Sequence, residues 1–249
     1  MNIEPLNPFP LSFSFKQFTI QQDRCAMKVC TDACLFGAWA AAWLEENNIE
    51  PKSILDIGTG TGLLALMLAQ KTTALIEAVE INEEAAGQAK ENFEASPWRE
   101  RLSVTQSDAG AMDYRKQYDF IISNPPFFES DLRSPDQNKN AAKHDSTLTF
   151  ESLLKIISTH LLPGGSAALL IPFHRLADLE KAAATNKLFI QQQMLVRQTP
   201  RHQPFRAMLI LGSLKKEITS KEMIIHDAGR NYTPEFIDLL GDYYLRVRG

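Results

Sequence analysis

Cysteine is scarce in this chain of 249 residues. Cys25, Cys30 and Cys34 are odd in number, lie five and four residues apart, and fit neither a disulfide framework nor a C-x-x-C pair. That usage implies a reducing compartment. Long apolar runs are missing as well. The longest stretch free of charged or strongly polar groups, Ala33 to Leu44, spans 12 residues, too few to cross a bilayer. Met1 to Pro10 holds no basic residue and no apolar core, so no signal peptide is expected, and the location predicted is the cytoplasm. The five histidines, His144, His160, His174, His202 and His226, show no ligand spacing, so no metal is expected. Internal repeats and low-complexity tracts are absent, which argues against solenoids and long linkers.

What is present is an ordinary globular composition, 44% hydrophobic and 22% charged, which excludes disorder, collagen and coiled coil. The net charge of −4 conceals an uneven distribution. Residues 1–130 hold 10 Lys and Arg against 18 Asp and Glu, a balance of −8; residues 131–249 hold 16 against 12, a balance of +4. An acidic first half and a basic second half suit different partners.

The middle of the chain alternates strand-like and helical runs. Ser53–Ile57, Leu75–Glu80, Leu102–Gln106 and Tyr118–Ile122 read as strands, Leu63–Gln70 and Glu83–Glu94 as helices, the second capped by Asn82. Such alternation predicts an α/β fold of βαβ crossovers, with a mostly parallel sheet covered by helices on both faces. Glu129–Asp145 reads as a polar surface loop, Phe150–Leu161 as a helix and Ser166–Ile171 as a strand. Leu188–Arg197 and Arg206–Leu214, separated by a short Pro-containing stretch, predict an antiparallel hairpin, and Thr233-Pro234-Glu235 opens a last helix. Phe13, Phe15 and Phe18 suggest an apolar strand or lid packed on the core, with plain core aromatics the favoured reading.

Chemistry concentrates at the ends of the predicted strands. Asp56-Ile57-Gly58-Thr59-Gly60-Thr61-Gly62 follows one strand and precedes a helix. Glycines let the turn backbone approach a ligand, and the helix N-terminus supplies free N–H donors. The dinucleotide fingerprint would need glycine at position 63, where this chain has Leu63. Glu80 ends the next strand and suits ribose hydroxyls; Asp108 follows the third and suits an adenine amino group. Each acid alone has the ordinary reading of a solvated carboxylate. Three at successive strand ends match the ligand-binding edge of an open α/β sheet. The fourth strand delivers Asn124-Pro125-Pro126-Phe127. The Asn124 amide oxygen and the Pro125 carbonyl can accept both N–H bonds of a planar exocyclic amine, and Phe127 can stack on the ring that carries it. The competing reading is a loop stiffened by two prolines.

Together these motifs resemble those of class I S-adenosylmethionine-dependent amino-methyltransferases. Phe15-Lys16-Gln17-Phe18, Asp23 to Val29, Thr31-Asp32, Leu35, Gly37 to Ala40 and Asn231 to Phe236 narrow the resemblance to the bacterial tRNA1(Val) adenine-N6-methyltransferase family, whose members modify the adenine next to the anticodon. The resemblance spans nearly the whole chain. It implies a Rossmann-like, seven-stranded sheet whose final hairpin is antiparallel, in one methyltransferase domain over 1–249, with 1–32 as an N-terminal lid and 33–249 as the core. It implies S-adenosyl-L-methionine as cofactor, with Asp56 among the residues that bind it and Gly58, Gly60 and Gly62 at its methionine and ribose end. Glu80 would hold the ribose, Asp108 the adenine, and Thr31 and Asp32 would close over the methionine. Asn124, Pro125, Pro126 and Phe127 would present the target adenine. Cys30 and Ala33 stand where relatives are expected to have glycine.

The basic half then has a use. Arg197, Arg201, His202 and Arg206 fall in a stretch without acids and Lys215-Lys216 follow; any one of them alone reads as part of a solvated hairpin tip, but as a group, joined by Arg230, Arg246 and Arg248 if the last helix folds back, they can track tRNA phosphates around the anticodon loop. A monomer or weak dimer is expected. The same tetrapeptide also suits the N2 amine of guanine in ribosomal RNA or a protein glutamine. A non-catalytic adenosine- or RNA-binding module is the alternative of another class, and a nicotinamide oxidoreductase is disfavoured by Leu63.

Overall fold

The structure is a computed structural model that describes residues 11–24, 28–113, 115–125 and 148–245. The expected loop at Glu129–Asp145, together with Pro126, Phe127, Cys25, His144, Arg246 and Arg248, lies outside the described residues.

An eight-stranded sheet organises the chain. Its strands are β3 (Ser53–Ile57), β4 (Leu75–Glu80), β5 (Leu102–Gln106), β6 (Tyr118–Ser123), β7 (Leu161–Pro172), β8 (Phe189–Arg197), β9 (Arg206–Gly212) and β10 (Thr219–Ile224), in the spatial order β10-β8-β9-β7-β6-β3-β4-β5. All neighbours pair in parallel except β9, which runs antiparallel to both β7 and β8. β3 carries buried residues on both faces, as a central parallel strand must when helices cover both sides. Two apolar clusters divide the core by sheet face. One holds α1 (Thr31–Glu46), α2 (Leu63–Lys71) and α3 (Glu83–Glu94). The other holds α4 (Phe150–His160) and α5 (Leu176–Thr185). A short helix, α6 (Pro234–Leu240), returns to the first face with Phe236 and Leu240 buried.

Local sequence accounts for most boundaries. Asn82 caps α3 by accepting from the Ala85 N–H at 2.9 Å, and the Thr233 hydroxyl accepts from the Phe236 N–H at the start of α6, with Pro234 in its first turn. β1 (Ser12–Ser14) and β2 (Thr19–Gln21) form a small antiparallel pair apart from the main sheet. Phe15 and Phe18 are buried and stack at 4.4 Å, and Phe18 meets Trp98 edge-on at 5.9 Å. Phe15 and Phe18 are therefore part of the core, and the half-buried Phe13 packs against it.

The sheet has one strand more than the resemblance implies. β10 adds in parallel to β8, beyond the hairpin. Its first four residues are exposed and only Met223 is buried, so the strand shows no apolar alternation. Cys30 (φ −129°) and Ala33, within α1, have ordinary backbone, so a Cβ at these two positions causes no strain. Cys30 and Cys34 are free thiols, and burial pushes the Cys34 thiol up to about 12. Among the described residues no helix is long and apolar enough to cross a membrane, and no cluster of His, Cys, Asp and Glu could hold a metal ion.

Candidate functional site

The chain runs from β3 to β4 and β5 on one side of the sheet, then returns to β6 on the other side of β3. The crevice between the carboxyl ends of β3 and β6 is thus the topological switch point, where open α/β sheets bind ligands. Ile57 and Ser123 are register partners there, and the Ser123 hydroxyl donates to the Ile57 carbonyl at 2.7 Å. Gly58 and Asn124 emerge side by side.

Gly58, Gly60 and Gly62 have φ of 71°, 57° and 85°, the left-handed region that favours glycine. A Cβ built on Gly58 or Gly60 meets nothing within 4 Å, whereas one on Gly62 would lie 2.4 Å from the Phe93 ring of α3. The loop therefore presents bare backbone outward at its first two glycines and is seated on α3 at the third. Asp56 lies fully buried beneath it, its Oδ2 accepting from the Thr59 hydroxyl at 2.6 Å. Burial pushes the Asp56 carboxyl up to about 7; the Thr59 hydroxyl and the Ala65 N–H of α2 act the other way, and Glu80 adds to the rise.

Glu80 reaches across from the end of β4. Its two oxygens accept from the N–H groups of Gly60 and Asn82, both at 2.9 Å. Each oxygen keeps a lone pair for a further donor. Asp108, exposed after β5, accepts from the Gly110 N–H through Oδ1 at 2.8 Å, and Oδ2 has no partner among the described residues. Asn124 is half-buried, and its side-chain amide makes no hydrogen bond among the described residues; Pro125 behind it is buried. An amide at a strand end with no partner among the described residues leaves its oxygen available to a ligand's donors.

Thr31 and Asp32 open α1 at the same edge. Asp32 receives the Arg206 guanidinium at 2.8 Å, tying α1 to the start of β9. Arg197 is also engaged: it donates to the His202 carbonyl and to Glu222 of β10, both at 2.8 Å. Arg201, exposed in the turn between β8 and β9, pairs with no acid among the described residues. Lys215 and Lys216 are elsewhere. Gly212 pairs with Ser166 and Phe189 at the amino ends of β7 and β8, so the two lysines that follow it lie on the opposite edge from Asn124. The hairpin inverts the chain between Arg206 and Lys215, which spacing along the sequence does not reveal.

Three supporting residues were not singled out from the sequence: Thr59 on Asp56, Phe93 under Gly62, and Asn92, which donates to the Thr61 carbonyl at 2.8 Å. The signal for Asn92 is that it and Gln88, four residues earlier, are polar residues on the face of the helix that also carries Ala85, Ala89 and Phe93.

Comparison with known proteins gives the same fold and adds a family. Residues 41–174 match the model of the methyltransferase small domain. A protein of Bacteroides thetaiotaomicron named tRNA1(Val) (adenine(37)-N6)-methyltransferase is 42% identical over 245 residues, covering 97% of this chain and 99% of its own. One of the same name from Tolumonas auensis is 40% identical over 238 residues, covering 95% and 98%. Among solved structures, a predicted O-methyltransferase from Agrobacterium tumefaciens superposes with a TM-score of 0.66 at 18% identity, covering 88% of this chain and 99% of that one.

Proposed function

From the fact that the chain belongs to the tRNA1(Val) (adenine(37)-N6)-methyltransferase family, we propose that it transfers a methyl group from S-adenosyl-L-methionine to the N6 amine of adenine 37 in tRNA1(Val). The observation that carries this reading is the placement of Asn124 beside Gly58 at the switch point of the sheet, its amide without a partner among the described residues.

The residues present suit the cofactor. Open space in front of Gly58 and Gly60 admits it, Glu80 and Asp108 offer acceptors at successive strand ends, and Thr31 and Asp32 lie at the same edge. The cofactor supplies a methyl group on a sulfonium, an electrophile that needs no metal. The chain must make a poor nucleophile competent, since the lone pair of an aromatic amine is delocalised into its ring. The Asn124 oxygen and the Pro125 carbonyl would accept the two N–H bonds, favouring the pyramidal nitrogen and stabilising the positive charge that develops on it. Phe127 would stack on the target base, which an anticodon loop offers unpaired. Residues 1–249 would act as one methyltransferase domain, with 1–32 as its lid, in the cytoplasm and as a monomer or weak dimer.

Asn124→Ala tests this assignment. It should leave S-adenosyl-L-methionine binding within about twofold and lower kcat by at least about a hundredfold, the scale of losing one oriented polar group at a reacting centre. Calorimetry and single-turnover methylation read the two arms. Full turnover by the variant would remove Asn124 from the mechanism.

A further inference from the structure

The glycine loop is held from below by a device that also grips the N-terminal segment. Asn92 of α3 is 2% exposed and uses its whole amide: Oδ1 accepts from the Gln21 N–H at 2.8 Å, and Nδ2 donates to the Gln21 carbonyl at 3.0 Å and to the Thr61 carbonyl at 2.8 Å. One turn earlier Gln88, 1% exposed, accepts from the Arg24 N–H at 2.9 Å and donates to Asp23 at 3.0 Å. The two amides at i and i+4 serve the segment from Gln21 to Arg24 as a neighbouring strand would. Gln22, itself buried, continues the chain of contacts by accepting from the Val29 N–H at 2.8 Å, two residues before Thr31.

Simple packing does not call for this arrangement. A buried amide brings a desolvation cost that an alanine or leucine on the same helix face would avoid. Its product is a specific register among three pieces: the glycine loop, strand β2, and the stretch leading to Thr31 and Asp32. We propose that Asn92 is a positioning residue for the cofactor, locking the Thr61 carbonyl and β2 into one unit. The loop that meets the ribose and the segment that closes over the methionine then reach the ligand together. This rests on the S-adenosyl-L-methionine reading above and goes beyond it, because Asn92 itself touches no ligand.

Two variants separate positioning from packing. Asn92→Asp keeps the size and the acceptor but loses both donations and sets a carboxylate against two carbonyls; Asn92→Leu keeps the volume and loses every hydrogen bond. The proposal expects folded protein whose Kd and KM for S-adenosyl-L-methionine rise about tenfold or more. The KM for tRNA and kcat at saturating cofactor should stay within about twofold to threefold. A second readout is trypsin cleavage at Lys16, Arg24 and Lys28, which the cofactor should slow in the wild type and not in the variants. A folded Asn92→Asp or Asn92→Leu protein with unchanged cofactor affinity would overturn the proposal. So would failure of both variants to fold, which would make Asn92 a stability residue. A wild-type protein that binds no S-adenosyl-L-methionine would overturn the functional reading instead, and this proposal with it.

Discussion

Asp56 shows how one buried side chain couples the site to solution conditions. Its carboxyl is pushed by burial from 3.8 to about 7. An acid whose pKa is higher in the folded than in the unfolded state stabilises the fold only while protonated. That contribution is complete below the unfolded value, shrinks as pH rises and is gone above about 7. A rise of that size corresponds to up to about 4 kcal/mol. Asp56→Asn keeps the shape: its oxygen can face the Ala65 N–H and its NH2 can donate to Thr59. The wild-type Tm, measured without cofactor, should therefore fall between pH 5 and pH 8 relative to that of Asp56→Asn. Parallel profiles for the two proteins would show that the carboxyl is already ionised across this range.

At the scale of elements, α3 is the seat of the glycine loop. Gly62→Ala would place a methyl group 2.4 Å from Phe93 and force a Cβ into φ of 85°. Left-handed strain and overpacking together should cost about 2 to 5 kcal/mol. Phe93→Ala removes a buried ring and has a cavity cost of its own, so the comparison is a double-mutant cycle: in the Phe93→Ala background Gly62→Ala should cost less than it does alone, by the overpacking part, a difference that thermal unfolding can measure. Additive losses in the double variant would separate the two residues energetically.

Elements with a strong period or a cap were legible before the structure: β3, β4, β5 and α3 fall where the alternation and Asn82 put them. Others carried no such signal. β10 hides because an edge strand with four solvated residues has no apolar face to display. The Ala33–Leu44 run, too short for a membrane, is the body of α1; with both sides buried it shows no 3.6-residue period that would mark it as a helix. Within the candidate site the position of Glu80, Asp108 and the glycines at the carboxyl edge was legible because they follow strongly patterned strands; that Asp56 lies buried beneath the loop was not. The residues that hold them, Asn92 and Phe93, were not, because their partners lie some 30 residues away in the chain.

The whole molecule resolves the charge balance. Asp56, Glu80 and Asp108, the acids proposed for the cofactor site, sit on β3, β4 and the turn after β5, to one side of Asn124; the other side of the same edge is built by β7, β9, β8 and β10. Several cations there are committed to neighbours, Arg206 to Asp32, Arg197 to Glu222 and Arg175 to Asp178. Arg201 and Arg230 are exposed, and Arg230 stands at φ 68° in the turn after β10. Lys215 and Lys216 are separated from them by the length of β9, about 20 Å. Replacing Arg201 and Arg230 with alanine should therefore weaken tRNA binding several-fold and flatten its dependence on salt, by about 0.7 to 0.9 in slope for each phosphate no longer neutralised. Replacing Lys215 and Lys216 should change affinity less than about twofold. The reverse order in a filter-binding titration would move the RNA face to the opposite edge.

The central claim is the chemical one: a methyl group goes to N6 of an adenine beside the anticodon. Purified protein incubated with isotopically labelled S-adenosyl-L-methionine and tRNA1(Val), followed by nuclease digestion and mass spectrometry, addresses it directly. The expected product is one labelled N6-methyladenosine per tRNA, located at position 37 and absent when Asn124→Ala replaces the wild type. Label on guanine N2, on protein glutamine or on no acceptor at all would contradict it.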